Sequence, residues 1–381
     1  MKTPCFDIVI IGAGPAGSAA AYTAAESGAS VLLIEEHEKI GTPVSCAEGL
    51  SRSTIKDYLS IKPEWISRRL KGAIIRGPDH EEFKIEYPDV GWVLDRTIFD
   101  AALAEYAEEK GAVIKKSTRA IGVENNKVIV RESGQIREYR FKFLIGADGV
   151  LSRVGSWKGI DTRLGLNEIE VCAEYLLEDI NVDTHYAYLI FGSCYAPGGY
   201  AWIFPKSDNT ANVGLGISPL KTKKRAQQFL DEWIEREFPE AKTKRKVFGG
   251  VPAKILKKFS GDDFFLVGDA ARFTDPLSGA GIANGIKSGV IAGRNAVLKL
   301  KGKKDHFKAE IKREILKEIK YHLKIRNIYV ELNDEEYRII FNIGKKLFEG
   351  KTTRDINVRE IVKEVLYSSP RIFWRAIKDL F

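Results

Sequence analysis

The stretch Phe6-Asp7-Ile8-Val9-Ile10-Ile11-Gly12-Ala13-Gly14-Pro15-Ala16-Gly17 decides the fold. A largely apolar run, broken only by Asp7, enters three glycines in GxGxxG spacing. An alanine-rich helical segment then runs from Gly14 to Ser27, and a second apolar run, Ala29 to Glu35, ends in acid. Strand, tight turn, helix and strand in this order predict a βαβ unit. Each glycine has a separate task. Gly12 makes the sharp turn, Gly14 lets the backbone approach a diphosphate, and Gly17 allows the helix to lie close to the strand. Ala13, Pro15 and Ala16 complete a loop whose diphosphate would rest on the helix N-terminus. Glu35 ends the second strand 18 residues after Gly17. A carboxylate there accepts hydrogen bonds from ribose hydroxyls and repels a 2′-phosphate, which argues against NADP in this site.

Far along the chain, Phe265-Leu266-Val267-Gly268-Asp269-Ala270-Ala271 reads as a strand ending in Gly-Asp. Pro276-Leu277-Ser278-Gly279-Ala280-Gly281 and a helix from Ile282 to about Lys299 follow. Asp269 suits the ribityl hydroxyls that a flavin nucleotide carries. The small residues at the helix start leave backbone N–H groups open to the pyrimidine edge, and the positive helix end favours a reduced, anionic ring. The two motifs together make FAD the expected cofactor.

Between them, Thr97 to Lys110 reads as a helix, and Ala112 to Lys115, Lys127 to Arg131 and Phe141 to Ile145 as strands. The region Glu168 to Gly250 alternates in short β runs: Tyr186 to Phe191, Tyr200 to Phe204 and Ala211 to Ile217, with one helix near Thr222 to Glu237. Ala73 to Trp92 is expected to join the same sheet, and the chain from Lys301 onward is charged and helical.

With these motifs placed, the sequence resembles the glutathione-reductase-type FAD fold, in the branch typified by p-hydroxybenzoate hydroxylase. Gly146-Ala147-Asp148-Gly149 and Asp95-Arg96 match that branch. Two further segments narrow it: Gly41-Thr42-Pro43-Val44-Ser45-Cys46-Ala47-Glu48-Gly49, and Pro197-Gly198-Gly199-Tyr200-Ala201-Trp202-Ile203-Phe204-Pro205. They resemble the geranylgeranyl reductase family, with its PxxYxWxFP element and cysteine segment, and are nearest to archaeal members acting on digeranylgeranylglycerophospholipids. The likeness covers most of the chain to residue 300 and is weakest over the last 80 residues.

The resemblance implies an α/β (α+β overall) fold. A Rossmann-like FAD-binding domain (1–65, 96–165, 255–300) would carry an inserted antiparallel β-sheet substrate domain (66–95, 166–254), followed by a C-terminal helical region (301–381). It implies cofactor contacts from Gly12 to Gly17, and from Glu35, Glu36, Cys46, Ala47, Arg96, Ala120, Asp148, Gly149, Gly268, Asp269, Pro276, Gly279, Gly281 and Ile282. The reaction implied is saturation of isolated C=C bonds by hydride from reduced flavin and a proton. Tyr200, Trp202 and Phe204 alternate on a strand and share one face. With Pro205 they are expected to line the isoprenoid site, and Cys46, Tyr200 and Trp202 to act in catalysis. Glu48 ranks behind Cys46 as proton source. A flavin monooxygenase and an electron-transfer flavoprotein are the alternatives on this fold. A halogenase would be expected to show a full WxWxIP, where this chain has Tyr200 and Phe204 at the first and third marked places.

Composition sets outer limits. The chain has 381 residues, 44% hydrophobic, with 60 Lys+Arg against 52 Asp+Glu. That is enough for two or three structural units, and the mild, mixed charge does not indicate nucleic acid. Cys5, Cys46, Cys172 and Cys194 show no metal spacing, and Cys172 and Cys194 are expected as free core thiols. No signal peptide or transmembrane run is apparent, so the expected location is cytoplasmic, with peripheral contact at the inner face of the membrane. The basic tracts Lys221 to Arg225 and Lys242 to Lys246, and the terminal segment with Phe373, Trp374 and Phe381, are the candidates for that contact. The expected partners are a geranylgeranylated lipid and an electron donor such as ferredoxin, NAD(P)H or another reductant.

Overall fold

The computed structural model describes residues 3–353, 356–369 and 372. The aromatic terminal segment lies outside the described residues. The first strands are β1 (Cys5–Ile11), β2 (Val31–Ile34), β3 (Gly49–Ser51), β4 (Ile66–Arg76) and β5 (Glu82–Leu94). Next come β6 (Val113–Lys115), β7 (Thr118–Glu124), β8 (Lys127–Glu132), β9 (Gln135–Gly146) and β10 (Ile169–Glu178). The last are β11 (Tyr186–Ile190), β12 (Tyr200–Pro205), β13 (Thr210–Ile217), β14 (Lys242–Pro252) and β15 (Phe264–Leu266). The helices are α1 (Pro15–Glu26), α2 (Arg52–Ile55), α3 (Arg96–Glu109), α4 (Arg153–Trp157) and α5 (Ala226–Glu237). They continue with α6 (Ile282–Leu300), α7 (Phe307–Ile311), α8 (Lys317–Tyr329), α9 (Asp334–Phe348) and α10 (Val358–Ser368).

These elements form two compact units, each discontinuous in sequence. One holds Met1–Val44, Arg96–Leu164 and Pro252–Tyr321; the other holds Ser45–Asp95, Gly165–Val251 and His322–Phe381. This differs from the expected division in two places. Residues 45–65 join the second unit, because β3 pairs with β5 and Trp65 hands its carbonyl to the Asp95 N–H. The C-terminal region is no separate body. Phe307 and Ile311 pack into the first core, while Arg326 and Ile328 belong to the second unit.

The first unit is built on a sheet of order β6-β2-β1-β9-β8-β7, with β15 also on β9. β6, β2, β1, β9 and β15 are parallel, as the βαβ reading requires. β9 begins earlier than its apolar run suggests. Its first half, Gln135-Ile136-Arg137-Glu138-Tyr139-Arg140, forms an antiparallel ladder with β8 and mixes polar with apolar residues. Helices α1 and α6 cross closely. A Cβ on Gly289 would lie 2.2 Å from the Ala16 carbonyl oxygen, and one on Gly293 2.6 Å from that of Ala20. Glycine at this four-residue spacing is therefore a packing requirement of α6.

The second unit has an eight-stranded sheet of order β14-β10-β13-β12-β11-β4-β5-β3. The β10–β13, β13–β12 and β12–β11 pairs are antiparallel, and β11 runs parallel to β4. One face carries Ala173, Tyr175, Leu177, Ala201, Ile203, Val213 and Leu215 into a core with Leu230 and Trp233 of α5. Strand alternation sends the intervening residues to the other face.

Candidate functional site

The first candidate region lies at the C-terminal ends of the parallel strands in the first unit. Gly12 has φ +99°, and a Cβ there would lie 2.3 Å from the Ala147 carbonyl oxygen. A Cβ on Gly17 would lie 1.8 Å from the Gly12 carbonyl oxygen. Gly14 is different, because nothing lies within 4 Å of where its Cβ would be. Two glycines are thus demanded by the chain itself. The third leaves open space at the N-cap of α1, where unsatisfied N–H groups and the positive helix end favour an anion. The residues present therefore fit a dinucleotide diphosphate.

Apart from Cys46 and Ala47, the other expected cofactor residues lie in this same unit, and several are joined by direct contacts. Glu35 Oε2 accepts from the Ala13 N–H at 2.9 Å, and Oε1 accepts from the His37 N–H at 3.0 Å. The acid therefore also fixes the glycine loop, a task the sequence reading did not give it. Gly268 has φ +56°, donates its N–H to Ser288 Oγ, and leaves space that a Cβ would close against the Ala16 side chain at 2.9 Å. Asp269 Oδ1 accepts from Thr274 Oγ1 at 2.5 Å and would lie 3.1 Å from a Cβ on Gly281. Surrounding protein pushes the Asp269 carboxyl above the usual range, while the Thr274 hydroxyl and the Arg96 guanidinium draw it down. Arg96 is held by Asp100, with Nε and Nη2 each donating to a separate carboxylate oxygen at 2.6 Å. Asp148 turns to the start of α4 and accepts from Ser152 Oγ, Arg153 N and Val154 N. Gly149, with φ +76°, follows it in the turn. Arg119, next to Ala120 on β7, pairs with Glu36 at 3.3 Å. Pro276 and Gly279 lie in the turn before α6, where Gly279 donates its N–H to the Asp275 carbonyl, and Ile282 opens the helix.

Cys46 and Ala47 fall in the second unit. The Glu48 N–H donates to Cys46 Sγ at 3.2 Å, and the Ala47 carbonyl accepts from Asn212 Nδ2 at 3.2 Å. Glu48 is 0% exposed and has φ +68°. Its Oε2 meets Lys206 Nζ at 2.5 Å and Asn212 Nδ2 at 2.8 Å, with Arg245 Nη2 at 3.8 Å. Glu48 is therefore the clamp that ties the cysteine segment to the end of β12 and to β13. Nothing in the local sequence revealed this, because Lys206 and Asn212 are 158 and 164 residues away.

Beyond the clamp, the sheet's second face is laid out in rows. Cys172, Gly216 and Tyr200 pair across β10, β13 and β12. Glu174, Gly214 and Trp202 form the next row, then Leu176, Asn212 and Phe204. The central strand offers glycine in two of the three rows, so aromatic side chains from β12 can lie across it. A Cβ on Gly214 would come within 2.5 Å of Trp202 Cζ2. The ring centroids of Tyr200 and Trp202 are 5.7 Å apart, and Tyr200 continues to Phe191 at 6.1 Å and Phe191 to Tyr329 at 6.4 Å. Phe204 packs over Gly49, and Pro205 closes the strand opposite Ala211. The alternation Val213-Gly214-Leu215-Gly216-Ile217 was the legible sign of a face cleared for other groups.

Other expectations are revised. None of the four cysteines is in a disulfide; Cys172 is half-buried, but Cys194 is exposed in a turn rather than a core thiol. The basic tracts are largely neutralised. Lys221 pairs with Glu331, Lys224 with Glu232, Lys242 with Asp179 and Lys244 with Glu178. Among the described residues, no helix is long and apolar enough to cross a membrane.

A family model described as the geranylgeranyl reductase catalytic domain matches residues 168–251, the segment that holds these rows. A digeranylgeranylglycerophospholipid reductase of Methanosarcina acetivorans is 41% identical, with 97% of this chain and 95% of that protein covered. The chain belongs to the geranylgeranyl reductase family. A second family relative, the digeranylgeranylglycerophospholipid reductase of Methanocella arvoryzae, is 37% identical over 96% of this chain and 97% of its own length. A solved geranylgeranyl bacteriochlorophyll reductase-like protein from Thermoplasma acidophilum superposes with a TM-score of 0.90 at 30% identity, with 100% of both chains covered. Residues 10–49 match an NAD(P)-binding Rossmann-like domain. A flavin-dependent brominase shares the fold at a TM-score of 0.72 and 20% identity, over 99% of both chains.

Proposed function

We propose that this family member is an FAD-dependent reductase that saturates isolated C=C bonds of geranylgeranyl chains on archaeal ether phospholipids. The observation that carries the reading is the aromatic floor of Tyr200, Trp202 and Phe204 over a glycine-cleared strand, inside the segment that matches the family's catalytic domain. An isoprenoid is long, apolar and flat at each double bond, and aromatic rings offer it apolar contact without competing hydrogen bonds.

FAD, when bound, supplies the hydride that an unpolarised alkene requires. Gly12, Gly14, Gly17 and the start of α1 would hold its diphosphate, Glu35 its ribose, and Asp269 its ribityl chain, with Arg96 and the Gly279–Ile282 turn completing the site. The chain's own residues have two further tasks. The floor orients the alkene, and Glu48 fixes the loop from which Cys46 is proposed to deliver or direct the proton. The electrons come from an external donor such as ferredoxin or NAD(P)H. A lipid substrate implies contact with a membrane surface.

Anaerobic incubation of dithionite-reduced, FAD-loaded protein with unsaturated digeranylgeranyl phospholipid tests the reading by mass spectrometry. Product gaining a pair of hydrogens per double bond is expected. Unchanged lipid, or product formed only with oxygen and carrying an added oxygen atom, would refute it and favour the monooxygenase alternative.

A further inference from the structure

One buried acid of the substrate sheet has no part in the scheme above. Glu174 sits in the middle of β10, only 3% exposed. Its Oε2 accepts from Trp202 Nε1 at 3.0 Å, while Oε1 has no hydrogen-bond partner among the described residues. The register explains how residues two strands apart can meet. Glu174 and Trp202 both pair with Gly214, so they face each other over a position with no side chain. Neighbouring strands lie about 4.8 Å apart, so the gap to be spanned is about 10 Å. Any Cβ at position 214 would collide with the indole at 2.5 Å. The indole therefore lies across β13 with its N–H edge turned to β10.

An indole N–H buried without an acceptor loses its hydration, and a ring with no polar tether has several orientations open to it. We propose that Glu174 is a positioning residue for isoprenoid binding: reaching across Gly214, its carboxyl fixes the Trp202 indole on β13 and so sets the shape of the aromatic floor. The assignment rests on the reductase reading and deepens it by naming what orients the substrate wall.

The tether changes strength near neutral pH. Burial first, then the negative charge of Glu48, raises the Glu174 carboxyl to about 7, against the lowering effects of the Trp202 N–H, Arg245 and Lys206. Along the same face of β10 lie Cys172 and Glu170, both raised by burial, and Glu178, which pairs with Lys244. Tyr200 on β12 and Arg326, paired to Glu170, are the further titratable and charged groups on this side. Below that value the indole donates to a neutral acid. Above it, the indole donates to a carboxylate, which is the stronger bond.

The test uses the full-length, FAD-loaded protein with 15N-labelled tryptophan. The Trp202 indole signal is the one lost in Trp202→Phe. It is expected to shift with pH around a midpoint near 7 in the wild type and to stay constant in Glu174→Gln, which keeps an acceptor but cannot ionise. In saturation assays Glu174→Leu is expected to raise KM for the lipid about tenfold or more, with less effect on kcat, because a hydrogen bond to a buried indole is lost. Glu174→Gln should restore most of that loss. A Trp202 signal that is the same in the wild type and in Glu174→Leu, or that titrates unchanged in Glu174→Gln, overturns the proposal. So does a wild-type KM in Glu174→Leu. If the wild type binds lipid without saturating it, the reductase reading fails, and the lipid Kd of Glu174→Leu then decides this assignment instead.

Discussion

Replacing Lys206 by methionine should destabilise the second unit by about 3 kcal/mol, because it takes the nearest counter-charge from a buried carboxylate. Glu48 has no exposed surface, and its Oε2 is served by Lys206 at 2.5 Å, Asn212 at 2.8 Å and Arg245 at 3.8 Å. Of these three contacts, the loss of Lys206 removes the shortest and leaves a neutral amide donor at 2.8 Å and a guanidinium at 3.8 Å, beyond hydrogen-bond reach. A neutral hydrogen bond contributes about 1 kcal/mol net, too little to offset the desolvation of a carboxylate. Glu48→Gln combined with Lys206→Met removes both charges at nearly constant volume and should recover much of the loss, giving a coupling of about 2 kcal/mol or more. Urea unfolding followed by tryptophan fluorescence measures the cycle, and amide exchange around Ala47–Leu50 locates it. The Cys46 segment is tied to this clamp through the Glu48 N–H, so Cys46 alkylation should accelerate in Lys206→Met. A single variant within about 1 kcal/mol of the wild type, or a double variant no better than the single, would refute the argument.

Gly14→Ala should fold with little loss, since its Cβ meets nothing within 4 Å, yet bind FAD at least about tenfold more weakly in a fluorescence titration. Gly289→Ala should do the reverse at the level of stability, because its Cβ would stand 2.2 Å from the Ala16 carbonyl oxygen; thermal unfolding of the apo protein distinguishes the two. Arg326→Met should cost about 3–5 kcal/mol in urea unfolding by stranding Glu170, which Arg326 Nε meets at 2.8 Å with both side chains buried. The raised Glu174 carboxyl also makes stability depend on pH. Between its ordinary 4.5 and about 7 the folded chain holds a proton that the unfolded chain has released, so stability falls as pH rises through that window. The full effect is about 3 kcal/mol, and Glu174→Gln should flatten the slope by that amount in denaturation curves measured across the window.

The dinucleotide unit was legible because its information is local. Gly12, Gly14, Gly17 and Glu35 sit on consecutive elements, and Gly17 and Glu35 answer to the nearby Gly12 and Ala13, whereas the crowding of Gly12 by the Ala147 carbonyl comes from far along the chain. Apolar periodicity likewise placed α1, α3 and α6 within a few residues of their ends. The same reading identified Tyr200, Trp202 and Phe204 as sharing a face, since alternation is a property of any strand. It could not say what lies opposite them. The Glu174–Gly214–Trp202 row and the Glu48–Lys206–Asn212 clamp depend on register between strands far apart in sequence, and one residue of slip would send each side chain to the other face. Buried charges carry no local pattern either, because Glu48 and Glu174 look like surface residues until their partners are known. The sequence by itself determined the cofactor fold and the family; only the tertiary structure decided which buried acids meet Trp202, Lys206 and Asn212, because those contacts depend on strand register.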